Sequence, residues 1–379
     1  MKTDVAIIGA GFAGLSLAHS IVNSGLKVKV TIAEQQEKYP SNFRSDKIEF
    51  EQAGMMRRLG ILQYRQPAAG PIGDILVCDG EKEWVVDTKE QYGIDYTATI
   101  NNLREQLPDT VQVVNAIVTD VRDHDEGKLV SLAGGKQLQA KLVVVCTGGN
   151  NQLIEEIDIR KYRSDTLRSL TFGFDIKKKD GSEFYFKGQN GLAFHNNESL
   201  DGVYYIIIFP IGDRMRCNLF SQIDPKSDAA KNVRRSMIEA LPRYFPGIYD
   251  ITGEVELSSS VKMMATRLYR LKNYNKGGLL ILGDEFQSVN PASGTGFSKI
   301  LSDVDLLTRK YIPKWFAKND FSKAAVSTFY SDKDKLYADV NSMQKWLYYH
   351  KKATHRNDII TKVKQRILSR GYFFMLEHF

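Results

Sequence analysis

The segment Gly9-Ala10-Gly11-Phe12-Ala13-Gly14 narrows most sharply what this chain can fold into. It follows the apolar run Val5-Ala6-Ile7-Ile8 and precedes Leu15, Leu17, Ala18 and Ile21, which fall on one face at helical spacing. A second apolar stretch, Val28-Lys29-Val30-Thr31-Ile32, leads to an acid, Glu34, twenty residues beyond Gly14. Strand, glycine turn, helix and strand make a βαβ unit. In such a unit the first glycine permits the tight turn, the second lets backbone approach a pyrophosphate, and the third packs helix on strand. Unpaired N–H groups and the positive dipole end of the helix favour an anion there. A carboxylate at Glu34 can accept hydrogen bonds from an adenosine ribose, so the N-terminus predicts dinucleotide binding.

A second glycine-rich segment stands far along the chain. Gly277-Gly278-Leu279-Leu280-Ile281-Leu282 is a buried-style strand, followed by Gly283-Asp284 and then Pro291-Ala292-Ser293-Gly294-Thr295-Gly296 before a helical stretch from Ser298 to Leu307. The strand end presents Asp284 to a ribityl or ribose hydroxyl. The Pro-x-x-Gly-x-Gly run places backbone N–H groups at a second helix start, where they can face an electron-rich ring edge.

Between these ends the pattern changes. Residues 49–60 read as a helix, 72–99 as short strands including Ile75-Leu76-Val77 and Trp84-Val85-Val86, and 101–107 as a short helix. Strands then lead to the fully apolar Leu142-Val143-Val144-Val145. From about 168 to 225 a meander is expected, with strands at Phe172–Ile176, Glu183–Phe186, Tyr204–Phe209 and Met215–Phe220. A helix is expected near 230–243. In the C-terminal part Tyr337, Val340, Met343, Leu347 and His350 recur at helical spacing.

Residues 1 to about 310 resemble the group A FAD-dependent monooxygenases, the family of para-hydroxybenzoate hydroxylase, within a superfamily that includes flavin halogenases and geranylgeranyl reductases. Gly283-Asp284 through Gly296 matches that family's Gly-Asp-x-x-x-x-x-x-Pro-x-x-Gly-x-Gly pattern. The resemblance implies an α/β fold with an α+β insert: a Rossmann-like FAD-binding domain from 1–70, 100–165 and 270–310, an inserted mixed β-sheet substrate domain from 71–99 and 166–269, and C-terminal helices from 311–379. It implies non-covalent FAD held by Gly9, Gly11, Gly14, Glu34, Arg44, Arg104, Gly283, Asp284, Pro291, Gly294, Thr295 and Gly296. Asp284 would hold the ribityl chain, Pro291 to Gly296 would line the isoalloxazine, Arg44 would lie near the ribityl or the ring, and Arg104 would reach FAD from the helix start Arg104-Glu105-Gln106-Leu107. Tyr185, His195, Phe209, Pro210 and the Pro291 loop are candidates to face substrate.

The implied activity is hydroxylation of an aromatic or polyketide-like molecule of secondary metabolism through a flavin C4a-hydroperoxide, with a dehydrogenase or reductase, a halogenase and a non-catalytic binder as alternatives. The chemistry is borne by the flavin, so no catalytic side chain is assigned. One departure stands out. The family's Asp-Gly pair after the strand of residues 142–145 reads Cys146-Thr147-Gly148-Gly149-Asn150 here, with Thr147 in the aspartate's place. Direct use of NAD(P)H is thereby put in question, and a separate flavin reductase, or a substrate acting as hydride donor, becomes an alternative source of electrons.

Composition bounds the rest. Three widely spaced cysteines, Cys78, Cys146 and Cys217, suggest neither disulfides nor a zinc site, and no metal is expected. The N-terminus lacks a signal-peptide pattern, and no run reaches the length of a membrane span, so a cytoplasmic protein is expected. The net charge of +7 concentrates after Ser331, where ten Lys/Arg meet five Asp/Glu. Because bases and acids are interspersed there, a solvated helix face is expected, with neither nucleic acid nor membrane as a partner.

Overall fold

The computed structural model describes residues 1–61, 69–78, 83–86, 91–125, 127–149, 153–196 and 202–354. Its first sheet runs in the order 111–115, 30–34, 2–8, 137–145, 127–132, 118–124, and the strand Leu279–Ile281 pairs with Gln137–Val145 outside that path. The strands 111–115, 30–34, 2–8, 137–145 and 279–281 are parallel to their neighbours, and the last two of the path return antiparallel. Registers are Ile7 opposite Val144 and Val145 opposite Ile281. Leu142 to Val145 are wholly buried, flanked by the first strand of the chain and, at Val143–Val145, by the strand Leu279–Ile281. That explains a run with no polar alternation. This is the Rossmann-like α/β arrangement.

The helix Phe12–Asn23 and the helix Thr295–Leu306 pack together, with Phe12 and Phe297 edge to face at 4.4 Å and Ser20 Oγ donating to Thr308 Oγ1 at 3.0 Å. The expected helix of 101–107 instead spans Tyr96–Glu105, because Asp95 caps it by accepting from the Ala98 N–H at 3.0 Å.

A second, largely antiparallel sheet contains the 19-residue strand Arg160–Lys178, paired along its length with Lys262–Lys272 and Arg214–Ser221. Val203–Ile211, Gly191–His195, Ile75–Cys78 and Glu83–Val86 extend it. The expected strand at 183–186 does not form. Only Phe186 makes an isolated bridge, to Gln189, and Phe184 and Phe186 pack on the outer face of the sheet while Tyr185 projects outward, 70% exposed. The expected helix of 230–243 is two helices, Asp228–Arg235 and Met237–Tyr244, broken at Ser236.

After Ile312–Lys318 and Lys323–Tyr330, the helix Lys333–Thr354 lies across the helix Thr295–Leu306 and the second sheet. Its inward side carries Lys335, Ser342 and Trp346, all at most 1% exposed, whereas Tyr337, Val340 and Leu347 of the expected apolar face point outward. Burial of a lysine is feasible because Lys335 Nζ lies 2.9 Å from Asp339 and 3.2 Å from Asp303, while Lys299 Nζ lies 3.1 Å from Asp339. Both ammonium groups also sit over the Phe286 ring, at 4.3 and 5.1 Å. Burial raises the Asp303 pKa against the pull of Lys335 and Lys299, and lowers that of Lys299. Lys335, held by both aspartates, has its pKa raised although burial opposes this.

The two lysines and two aspartates balance in charge, so removing one member strands a buried ion. Asp303→Asn is expected to destabilise by about 3–5 kcal/mol, and Asp303→Asn with Lys335→Met to recover most of that loss. Chemical denaturation of both variants checks this; equal stability of the single variant and the parent would contradict it.

Candidate functional site

The C-terminal ends of three neighbouring parallel strands define the site. Strand 2–8 ends at the first glycine turn, strand 137–145 at Cys146-Thr147, and strand 279–281 at Gly283-Asp284; Cys146 N–H donates to the Ile8 carbonyl at 2.8 Å, and Leu282 N–H to the Val145 carbonyl at 3.0 Å. A Cβ on Gly9, whose φ is +100°, would stand 2.8 Å from the Cys146 carbonyl oxygen, and one on Gly14 would overlap the Gly9 carbonyl oxygen. Those two glycines are demanded by the protein's own backbone. A Cβ on Gly11 would meet nothing within 4 Å. Gly11 also opens the helix with no capping side chain and no acid in its first turn. The turn is therefore closed behind and open in front, as a pyrophosphate cradle requires.

Glu34 Oε2 accepts from the Ala10 N–H at 2.7 Å and Oε1 from the Gln36 N–H at 3.0 Å. Arg104 braces the same turn: Nε and Nη2 donate to the Ala10 carbonyl at 3.1 and 2.9 Å, Nη1 donates to the Gln36 carbonyl at 3.0 Å, and Nη2 stands 3.5 Å from Glu34.

Arg44 is carried by the segment before the strand Ser45–Ile48, which is seated on the second sheet. Asn218 Nδ2 donates to the Ser45 carbonyl at 2.9 Å, and Arg216, paired with Asp175 at 2.6 Å, donates to the Phe43 carbonyl. The Arg44 guanidinium lies 4.1 Å above the Tyr96 ring centre and donates to Asp46 at 2.9 Å. Burial works against its charge, but Asp46, Tyr96 and Asp284 outweigh it and raise its pKa. Burial pushes the Tyr96 phenol up to about 12. Asp284 has its pKa raised by burial, against the attraction of Arg44 and Lys299. Arg44 and Asp284 thus share one electrostatic environment although 240 positions separate them.

Beyond Asp284, Pro291–Ser293 forms a short 3-10 turn held by Asn290 Oδ1, which accepts from the Ala292 N–H at 3.0 Å. Gly294, at φ +64°, reverses the chain into the helix Thr295–Leu306, with open space beside both Gly294 and Gly296. Thr295 N–H donates to Ser293 Oγ at 3.3 Å. Gln52, buried on the helix Phe50–Arg58, donates to the Gly294 carbonyl at 3.2 Å and to Ser298 Oγ at 2.8 Å. No motif pointed to Gln52, because its partners lie some 240 residues away.

Of the candidate substrate-facing residues, Phe209 belongs to a cluster on the Pro291 side of the second sheet that also includes Tyr204, Phe220 and Ala292. His195 stacks on Tyr205 at 5.0 Å, and Tyr205 Oη donates to the Ala292 carbonyl at 2.8 Å. Tyr349 of the last helix lies 4.9 Å from Tyr204 and 6.4 Å from Tyr205, closing the cluster from above. Burial first, and the Lys352 charge second, lower the His195 pKa to about 3, so the ring is neutral near pH 7. The Pro210 carbonyl abuts Gly93. Tyr185 lies outside this cluster.

Thr147 is not left without a carboxylate. Glu285, fully buried, accepts from Thr147 Oγ1 at 2.6 Å and from the Gly149 N–H at 2.9 Å, and it pairs with Lys161 at 3.0 Å. Lys161 Nζ also donates to the Gly149 carbonyl at 2.9 Å, and Tyr269 Oη to the Asp284 carbonyl. The acid that the strand end lacks is supplied across the site by the residue after Asp284. Asn150 lies outside the described residues.

A dinucleotide cradle joined to a second glycine turn, with an aromatic cluster beside it, defines an FAD-dependent oxidoreductase. The chain belongs to the family described as "FAD binding domain", whose model matches residues 2–313. It is 22% identical over 368 residues to the ubiquinone hydroxylase UbiM of Neisseria meningitidis, covering 89% of this chain and 75% of that protein. It is 21% identical over 332 residues to 6-hydroxynicotinate 3-monooxygenase of Pseudomonas fluorescens, covering 80% and 81%. Among solved structures, the flavin-dependent brominase Bmp2 superposes with a TM-score of 0.73 at 16% identity, covering 97% of this chain and 93% of that one.

The glycines separate folding from binding. Gly14→Ala is expected to lower the melting temperature of the apoprotein, whereas Gly11→Val should leave it unchanged and weaken FAD binding by about tenfold or more, equivalent to about 1.4 kcal/mol. Calorimetry and flavin-fluorescence titration read the two effects. Undiminished FAD affinity in Gly11→Val would contradict the cradle.

Proposed function

We propose that this protein is a monooxygenase that hydroxylates an aromatic or polyketide-like small molecule held between the Pro291 loop and the inner face of the second sheet. The observation that carries this reading is the cluster of Tyr205, His195, Phe220 and Tyr349 around the Ala292 carbonyl, an apolar and aromatic surface directly against the ring-facing loop. The two curated relatives named above act as a hydroxylase and a monooxygenase, which supports the same class.

FAD, when bound and reduced, supplies oxygen activation and transfer to an electron-rich carbon. The chain's residues hold and orient. Gly11 with the start of helix Phe12–Asn23 would take the pyrophosphate, Glu34 the adenosine ribose, and Asp284 the ribityl hydroxyls. Gly283 brings the backbone close, and Arg104 supports the turn. Arg44 contributes positive charge beside Asp284. Pro291, Gly294, Thr295 and Gly296 form the surface against the ring, where backbone N–H groups at the helix start favour negative charge. His195, neutral near pH 7, offers a substrate hydroxyl a hydrogen-bonding partner without bringing a charge into the cleft. The aromatic wall excludes water from the reacting carbon. On this reading the first sheet forms the FAD domain and the second the substrate domain.

Electrons come from NAD(P)H directly or through a separate reductase. The Glu285 carboxyl group on Thr147 and Gly149, paired with Lys161, favours the direct route, because the loop is held from another segment despite the missing aspartate. The described cysteines are buried and free, which suits a reducing cytoplasm.

The FAD-loaded protein, given NADPH and a panel of phenolic and hydroxylated aromatic compounds, is expected to consume oxygen in a substrate-dependent way and to place labelled oxygen in the product. Mass spectrometry of the product decides. Bromide- or chloride-dependent substitution without labelled oxygen would assign the protein to the halogenase alternative, and turnover without oxygen would make it a dehydrogenase.

A further inference from the structure

The last helix carries an apolar stripe on its outer side. Leu336, Tyr337, Val340, Leu347 and Tyr348 are exposed by 47, 74, 50, 43 and 39%. Their spacings of three, four and seven residues put them on one face of the helix Lys333–Thr354. Lys333 and Lys351, both exposed, lie on the same face, seven residues before and eleven after Val340. The helix has two acids. Asp339 is turned inward to Lys335 and Lys299, and Asp334 stands about a quarter-turn off the stripe. The stripe itself therefore carries two lysines and no acid, while Lys335 is turned inward with Asp339. The residues that follow, 355–379, carry five Lys/Arg against two acids, with Tyr372, Phe373, Phe374, Met375 and Leu376 in one run.

We infer that this face docks on the surface of an anionic lipid membrane, with the apolar side chains entering the headgroup boundary and the lysines meeting lipid phosphates. An apolar stripe flanked by lysines is the chemistry that such a surface selects. A second copy of the chain fits less well. A two-fold pairing of the stripe, centred near residue 342, would set Lys333 of one copy against Lys351 of the other, placing like charges together at both ends. The opposite side of the same helix supplies Tyr349 to the aromatic cluster beside the Pro291 loop, so docking would place that cluster near the lipid surface. The inference is independent of the reaction proposed above.

The test is co-sedimentation of the full-length, FAD-loaded protein with phosphatidylcholine vesicles, with and without phosphatidylglycerol. Binding is expected to the anionic vesicles, to weaken with salt, and to fall on the order of tenfold or more in Val340→Glu/Leu347→Glu, with FAD content and melting temperature unchanged. Lys333→Ala/Lys351→Ala should show a smaller loss confined to low salt. Wild-type protein that stays in solution with anionic vesicles would overturn the inference, as would undiminished binding of the glutamate variant. A concentration-dependent dimer dissolved by the glutamate variant would assign the stripe to a second copy and overturn it equally.

Discussion

Everything at the site depends on the strand Gln137–Val145 being paired in parallel on both sides at its C-terminal half. One neighbour is the first strand of the chain and the other, Leu279–Ile281, comes from near residue 280. Parallel pairing in register brings both glycine turns to the same sheet edge, and ligands in open α/β sheets bind outside the carboxyl ends of strands. The site is assembled only when the first strand and the strand Leu279–Ile281 have met on either side of Gln137–Val145. The helix following each turn then packs on the other through Phe12 and Phe297, a contact worth about 0.5–1.5 kcal/mol beyond its area.

Buried charge secures this junction at three places. Lys161 and Glu285 tie the start of the long strand of the second sheet to the Gly283–Glu285 turn. Arg216 and Asp175 fix the segment that presents Arg44. Lys299, Lys335, Asp303 and Asp339 hold the last helix against the helix Thr295–Leu306. Such groups gain little net stability over apolar packing, but each is costly to leave unpaired. They therefore fix which segments lie together, here the two sheets, the Gly283–Glu285 turn and the C-terminal helix.

The motif-bearing parts of this arrangement were legible in the sequence because local chemistry decides them. Gly9 and Gly14 leave no room for a side chain, and Leu142 to Val145 had to be flanked on both sides. What escaped the sequence depends on distant partners. Gln52, Lys161 and Glu285 are ordinary polar residues until the fold brings Gly294, Gly149 and Thr147 to them. The replacement of an aspartate by Thr147 looked like the loss of a charge, yet the charge returns from another segment. Glu183 to Phe186 has strand-forming residues, but among the described residues it makes only the isolated bridge of Phe186 to Gln189. The apolar periodicity of the last helix was real, but it marks the outer face, since Lys335 and Trp346 find partners inside.

The central claim is that Glu34 and Asp284, 250 residues apart, hold opposite ends of one FAD molecule. Titration of FAD into the apoproteins of Glu34→Ala and Asp284→Ala by calorimetry addresses it directly. Each variant loses charge-assisted hydrogen bonds to hydroxyls, about 1.5–3 kcal/mol, so each should remain folded and bind FAD at least about tenfold more weakly than the parent. Parent-like affinity in Asp284→Ala would show that the second glycine segment is a turn with no part in the cofactor site.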